Sequence, residues 1–166
     1  MEEIDLIRKI HSTKIEFKMC PDLWGLEGID FSQTTFKETK FLNDLGTAMH
    51  ENMNNLPSTS GGIYFFYIRP GILPNTDYLV YIGRAKYTDS QNLKKRCRSY
   101  FQKYPNERPK INTMIREWGP YLHLRYMELT DNHLISSFEE KLINSFIPPF
   151  NDEIPNKTIK RAVSAF

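Results

Sequence analysis

Two runs of consecutive apolar residues stand out in the middle of the chain, Ile63-Tyr64-Phe65-Phe66-Tyr67-Ile68 and Tyr78-Leu79-Val80-Tyr81-Ile82. Both are rich in β-branched and aromatic residues and neither alternates with polar positions, the pattern of strands covered on both faces. Pro70-Gly71 and Pro74-Asn75 between them are turn formers, so a hairpin with a long loop is expected. Residues 90–102 read as a helix with Asp89 or Ser90 as its cap. Pro109 opens a second helix, with Ile111, Met114, Ile115 and Trp118 on one face, and Gly119-Pro120 stops it. Tyr121 to Leu129 alternates as a third strand. Asp131 then starts a last helix, which Pro148-Pro149 ends. The order β-β-α-α-β-α predicts an α+β fold: a small three-stranded antiparallel or mixed sheet flanked by helices.

The part before the first run is less regular. Asn54-Asn55-Leu56-Pro57-Ser58-Thr59-Ser60-Gly61-Gly62 is a loop by composition and separates an N-terminal extension, residues 1–60, from the core at 61–152. Within the extension, residues 3–11 suit a short helix. Ile15, Phe17 and Met19 alternate like a strand, and Phe41, Leu42, Leu45, Ala48 and Met49 keep helical spacing. Residues 153–166 read as a basic tail carrying Lys157, Lys160 and Arg161. No apolar run approaches the ~20 residues needed to span a bilayer, and the acidic start MEEIDLIRK lacks the apolar stretch of a secretory signal. Cys20 and Cys97 match neither a disulfide framework nor a zinc spacing, and the four histidines are scattered. A reduced, cytoplasmic protein without membrane segments or small-molecule cofactors is expected.

Charge changes the picture by its distribution. The net charge is only +2, yet residues 84–116 hold ten basic side chains against two acidic ones, a net of +8 between two acidic flanks. Tyr87, Tyr100, Phe101 and Tyr104 are interleaved with these cations, a pattern common in nucleic-acid contacts. Charge alone leaves a solvated, lysine-rich helix face equally open.

Helical periodicity singles out one carboxylate. At ~100° per residue from Leu134, the side chains of Ile135, Phe138, Leu142, Ile143 and Phe146 form an apolar stripe between about 0° and 180°. Glu139 falls inside the stripe at about 140° and Glu140 outside it at about 240°. A carboxylate on an apolar face needs a cation or hydrogen-bond partner, either in a structural ion pair or at a metal. In residues 90–102 the stripe is Leu93, Cys97, Tyr100 and Phe101. Lys95 and Arg98 lie away from it, as solvent or DNA-backbone contacts, and Lys94 and Arg96 flank it on either side.

Gly62-Ile63-Tyr64 on the first strand and Tyr81-Ile82-Gly83 on the second resemble the signature of the GIY-YIG nuclease superfamily. Tyr81-Ile82-Gly83-Arg84-Ala85-Lys86 is followed by Leu93-Lys94-Lys95-Arg96-Cys97-Arg98-Ser99-Tyr100-Phe101, which is similar to the N-terminal nuclease module of the bacterial excision-repair incision subunit. Glu139 and, twelve residues on, Asn151 after a proline complete the set, so the similarity covers residues 61–152. The resemblance implies a site made of Tyr64, Tyr81, Arg96, Tyr100, Glu139 and Asn151. Tyr64 is then the general base, its phenol made more acidic by Arg84, Lys86, Arg96 and a metal. Tyr81 orients the base, the water or the phosphate, and Tyr100 hydrogen-bonds a phosphate or shuttles a proton. Arg96, chosen over Lys94 by the resemblance, holds the phosphoryl group. Asn151 ties the end of the last helix to the site or bonds a ligand. Glu139 is the metal ligand, holding one Mg²⁺ or Mn²⁺ per active site. Arg84, Lys86, Lys94, Lys95 and Arg98 are expected to contact DNA. A chain with an N-terminal extension and no separate DNA-binding domain resembles type II restriction endonucleases of the superfamily, acting on double-stranded DNA as homodimers. The alternatives are a structure-directed repair, phage or mobile-element nuclease, and an idle DNA-binding module of the same fold.

Overall fold

In the computed structural model, which describes residues 2–25, 28–102 and 107–165, the two apolar runs pair as the hairpin of β2 (Gly61–Ile68) and β3 (Tyr78–Ala85). β4 (Leu122–Leu129) lies antiparallel on the other side of β2, and β1 (Lys37–Lys40) pairs antiparallel outside β4, giving four strands in the order β1-β4-β2-β3. The three expected strands are present, and the extension adds the fourth. β2 is central, which is why its apolar residues run without alternation. Tyr64, Phe66 and Ile68 face one core with Tyr81, Ala85, α2 (Leu93–Ser99) and α3 (Pro109–Trp118). Ile63 and Phe65 face a second core with Ile82 and Leu142 and Ile143 of α4 (Asn132–Phe146). Asp131 caps α4 as the sequence predicts, accepting from the backbone N–H groups of His133 and Leu134.

The first glycine motif marks close backbone approach. A Cβ on Gly62 would stand 2.0 Å from the Met127 carbonyl oxygen of β4. Because that neighbour is backbone in a paired strand, it cannot turn aside. Gly62→Ala is therefore expected to lower stability by about 3 kcal/mol or more, measurable as a shift of the urea midpoint. An unchanged midpoint would contradict the packing at this crossing.

Several expectations need correction. Residues 15–19 form no strand: Ile15 packs on the main core and Phe17 lies against Tyr78, but the outer edge of β3 is occupied by Phe150 and Asn151, which leaves the segment no strand to pair with there. Residues 41–49 form no helix. The Asn43 side chain accepts from the Thr47 N–H at 2.9 Å, Gly46 takes a left-handed conformation, and Leu42 bridges to Met49, leaving Leu45 exposed. α2 starts at Leu93, capped by Asn92 rather than Asp89 or Ser90, because Thr88 and Gln91 close a turn of their own. In α4 the buried stripe is narrower than expected, since Leu134 and Phe146 are exposed. Within the segment read as a basic tail, α5 (Lys157–Ser164) is a helix capped by Asn156, and Lys18 donates to its Val163 carbonyl at 2.7 Å. α1 (Glu3–Ser12) forms as predicted but buries none of its residues. Among the described residues no helix is long and apolar enough to cross a membrane. Tyr104 lies outside the described residues.

Candidate active site

The strand pairing that aligns the two motifs also builds a cluster of phenols. Tyr64 on β2 stands opposite Gly83 on β3, and a Cβ on Gly83 would lie 2.6 Å from the Tyr64 phenol. The glycine of the second motif thus makes room for the tyrosine of the first. Tyr81 projects to the same core, and α2 brings Tyr100 over both, anchored by buried Leu93 and Cys97. The Tyr100 Oη is 2.7 Å from the Tyr64 Oη and 2.9 Å from the Tyr81 Oη, a continuous chain of three hydroxyls. Arg96 Nε donates to the Tyr64 Oη at 3.3 Å.

Burial decides the chemistry of these phenols. Tyr64 is fully buried, and that burial, with Tyr100 and Tyr81 beside it, pushes its phenol well above the ordinary value of 10.0. Arg96 works in the opposite direction and does not prevail. The expectation that Arg84 and Lys86 would help acidify Tyr64 is not met by the protein side chains, because Arg84 is paired with Glu139 and Lys86 is exposed. Tyr81 is also pushed up, first by burial and then by Tyr100.

Glu139 faces inward, as its place in the stripe predicts. Its side chain is 17% exposed against 56% for Glu140, and its Oε2 lies 2.9 Å from Arg84 Nη1. Burial raises its carboxyl above the ordinary value, while Arg84 and, more weakly, Arg96 pull it down. Arg96 therefore acts on both Tyr64 and Glu139. Two asparagines pin α4 along β3 on either side of this carboxylate. Asn132 bonds both backbone groups of Tyr87 at 2.9 Å. Asn151 accepts from the Ile82 N–H at 2.9 Å and donates to the Ile82 carbonyl at 2.8 Å, in the manner of an added strand. Asn151 thus ties the segment after the last helix to β3.

Other basic candidates lie apart from the phenols. Lys94 and Arg98 bond the backbone carbonyl and side chain of Asn54, and Lys95 bonds the Ser90 carbonyl. Together they line a groove of about 640 Å³ with Asn92, Ser99 and Phe101. Periodicity could not find Arg108, which precedes α3 in a loop. Its guanidinium sits 5.0 Å from the Tyr100 ring centroid, and its Nη2 reaches the Tyr81 Oη at 3.5 Å. Its only sequence signal is membership of the basic segment.

Among the described residues no three His, Cys, Asp or Glu side chains come together as a metal cage. Glu139 nevertheless suits a hard cation such as Mg²⁺, which takes one or two carboxylates and fills its other positions with water and phosphate oxygens. One of its oxygens, Oε2, is taken by Arg84 at 2.9 Å, so it would offer a cation a single carboxylate.

A stretch of 107 residues, 61% of this chain, is 33% identical to UvrABC system protein C of Wolinella succinogenes. The chain spans about 15% of the length of that relative. No family model matches the chain, and no solved structure gives a significant match. The likeness is consistent with a GIY-YIG-like domain, the resemblance carried by Gly62-Ile63-Tyr64 and Tyr81-Ile82-Gly83.

Proposed function

We propose that the chain is a metal-dependent endonuclease that hydrolyses phosphodiester bonds of double-stranded DNA. The observation that carries this reading is the meeting of the Tyr64–Tyr100–Tyr81 hydroxyl chain with Arg96, whose charge also acts on the half-buried Glu139. The likeness to UvrABC system protein C supports a nuclease of DNA over other phosphoryl-transfer enzymes. Arg96 holds the negative charge of the phosphoryl group, since its planar guanidinium stays charged at every working pH. Tyr64 accepts a proton from the attacking water in its ionised fraction, and Tyr100 and Tyr81 hold that phenol and water in line. Glu139 holds one divalent cation, Mg²⁺ or Mn²⁺, which when bound supplies stabilisation of the leaving 3′ oxygen. Arg84 sets the Glu139 carboxylate in place, and Asn151 fixes the strand that carries Arg84. Lys86 and the groove of Lys94, Lys95 and Arg98 lie along the DNA backbone.

We further propose sequence-specific cutting of both strands by a homodimer, as in type II restriction. The extension adds a strand to the sheet, and α1 leaves Ile4, Ile7 and Ile10 exposed, surfaces suited to base reading and to pairing of two copies. The test is incubation of plasmid DNA with the protein in Mg²⁺ and in EDTA. Discrete fragments in Mg²⁺ alone are expected. General nicking would favour a structure-directed nuclease, and intact plasmid under both conditions would leave only an idle binding module.

A further inference from the structure

Arg96 and Arg108 share one aromatic ring and one hollow. Both are half-buried, their guanidinium carbons lie 5.4 and 5.0 Å from the centroid of the Tyr100 ring, and their charges repel. Of the other half-buried arginines, Arg69, Arg84 and Arg125 each pair with a carboxylate, and Arg98 bonds the Asn54 side-chain oxygen. Arg96 and Arg108 instead bond phenol oxygens, and among the described residues no carboxylate lies within 4.0 Å of either. They open onto a hollow of about 180 Å³ between α2 and α3, whose polar lining also includes Ser99 and Asn112. With a water's share of liquid volume near about 30 Å³, this admits a phosphate group with some of its waters. Two half-buried cations facing one hollow, with no carboxylate within 4.0 Å among the described residues, suit an anion.

We propose that this hollow is a second phosphate subsite, in which Arg108 binds the DNA phosphate next to the scissile one while Arg96 holds the scissile phosphate. The inference rests on the nuclease reading and deepens it. Arg108 then sets the register of the strand over the Tyr64–Tyr100–Tyr81 chain, and Asn112 offers a neutral hydrogen-bonding wall that an acidic residue would spoil.

The test uses thymidine 3′,5′-bisphosphate, whose two phosphates are one nucleoside apart, and thymidine 5′-monophosphate, titrated calorimetrically into the full-length chain. Arg108→Ala is expected to weaken bisphosphate binding about tenfold, the loss of one charged hydrogen bond, and to leave monophosphate binding within about twofold. Arg108→Lys is expected to recover part of the loss. Asn112→Asp, a change at a half-buried polar position, is expected to weaken the bisphosphate similarly and decides the matter if Arg108→Ala does not fold. In cleavage assays Arg108→Ala should raise KM by a larger factor than it lowers kcat. Unchanged bisphosphate binding in Arg108→Ala and Asn112→Asp, equal loss of both nucleotides, or a fall in kcat alone would overturn the subsite. If the wild type discriminates the nucleotides as expected but cuts no DNA, the nuclease reading fails and the anion site stands. If it cuts DNA without that discrimination, the subsite fails and the nuclease stands.

Discussion

Glu139→Gln is expected to lower DNA cleavage about a thousandfold or more while leaving the fold and duplex binding intact. A cation at a phosphoryl centre supplies several kcal/mol of transition-state stabilisation, and each ~1.4 kcal/mol is tenfold in rate. Glutamine keeps the volume and removes the charge that would hold the cation. The competing role, a structural ion pair with Arg84, predicts a different stability effect. Burial raises the Glu139 carboxyl, so the folded chain holds this proton more tightly than the unfolded one. Its contribution to stability is present below the ordinary value of 4.5 and is lost as pH rises through the raised folded value. At pH 8 the ionised carboxylate is therefore a cost, and Glu139→Gln should melt at the same temperature as the wild type or higher. A purely structural bridge predicts a lower melting temperature instead. Single-turnover cleavage, fluorescence anisotropy with a labelled duplex and thermal melts at pH 5 and 8 check the three parts. Retained cutting removes Glu139 from the mechanism.

What the sequence disclosed and what it hid follow from the range of the interactions. β2 and β3 were legible because both faces of each strand are covered, which writes itself as unbroken apolar runs. Helical phase separated Glu139 from Glu140 correctly, because α4 packs one side on the sheet over most of its length. The same phase misplaced Leu134 and Phe146, which belong to the stripe but lie near the ends of α4 and remain exposed. β1 was invisible, since Lys37-Glu38-Thr39-Lys40 has no apolar alternation and is held by backbone pairing to β4 and by side-chain contacts such as Lys37 with Glu128 and Glu38 with Arg125. The motif glycines were legible as letters but not as causes: Gly62 meets a carbonyl 65 residues away in sequence at Met127, and Gly83 meets a phenol across the hairpin. Arg108 escaped because a loop residue has no phase to betray its direction. Tyr64 shows the deeper limit. The cations that would acidify it can be counted along the chain, whereas the burial that outweighs Arg96 exists only once two strands and α2 have closed around it.

Tyr64→Phe is expected to reduce the cleavage rate constant about a thousandfold, within the range for loss of a positioned base, with little change in DNA affinity. The phenylalanine retains the edge-on ring contacts with Phe66 and Tyr100 and deletes only the hydroxyl. Tyr100 keeps its bond to Tyr81, and Arg96 keeps its place over the Tyr100 ring, so the stability cost should be about 1 kcal/mol. The pH profile distinguishes a base from a mere donor. Because the Tyr64 phenol sits well above 10.0, only a small and rising fraction is ionised between pH 7 and 9. A base drawn from that fraction gives a wild-type rate that climbs about tenfold per pH unit. Tyr64→Phe should be flat across the same interval. A donor that only orients the water would lose rate on mutation but leave the slope in place. Tyr81→Phe, which interrupts the far end of the chain, should cost less and retain the slope. If the wild-type profile is flat, or Tyr64→Phe still climbs, the proton leaves the water by another route, and Tyr64 is not the base.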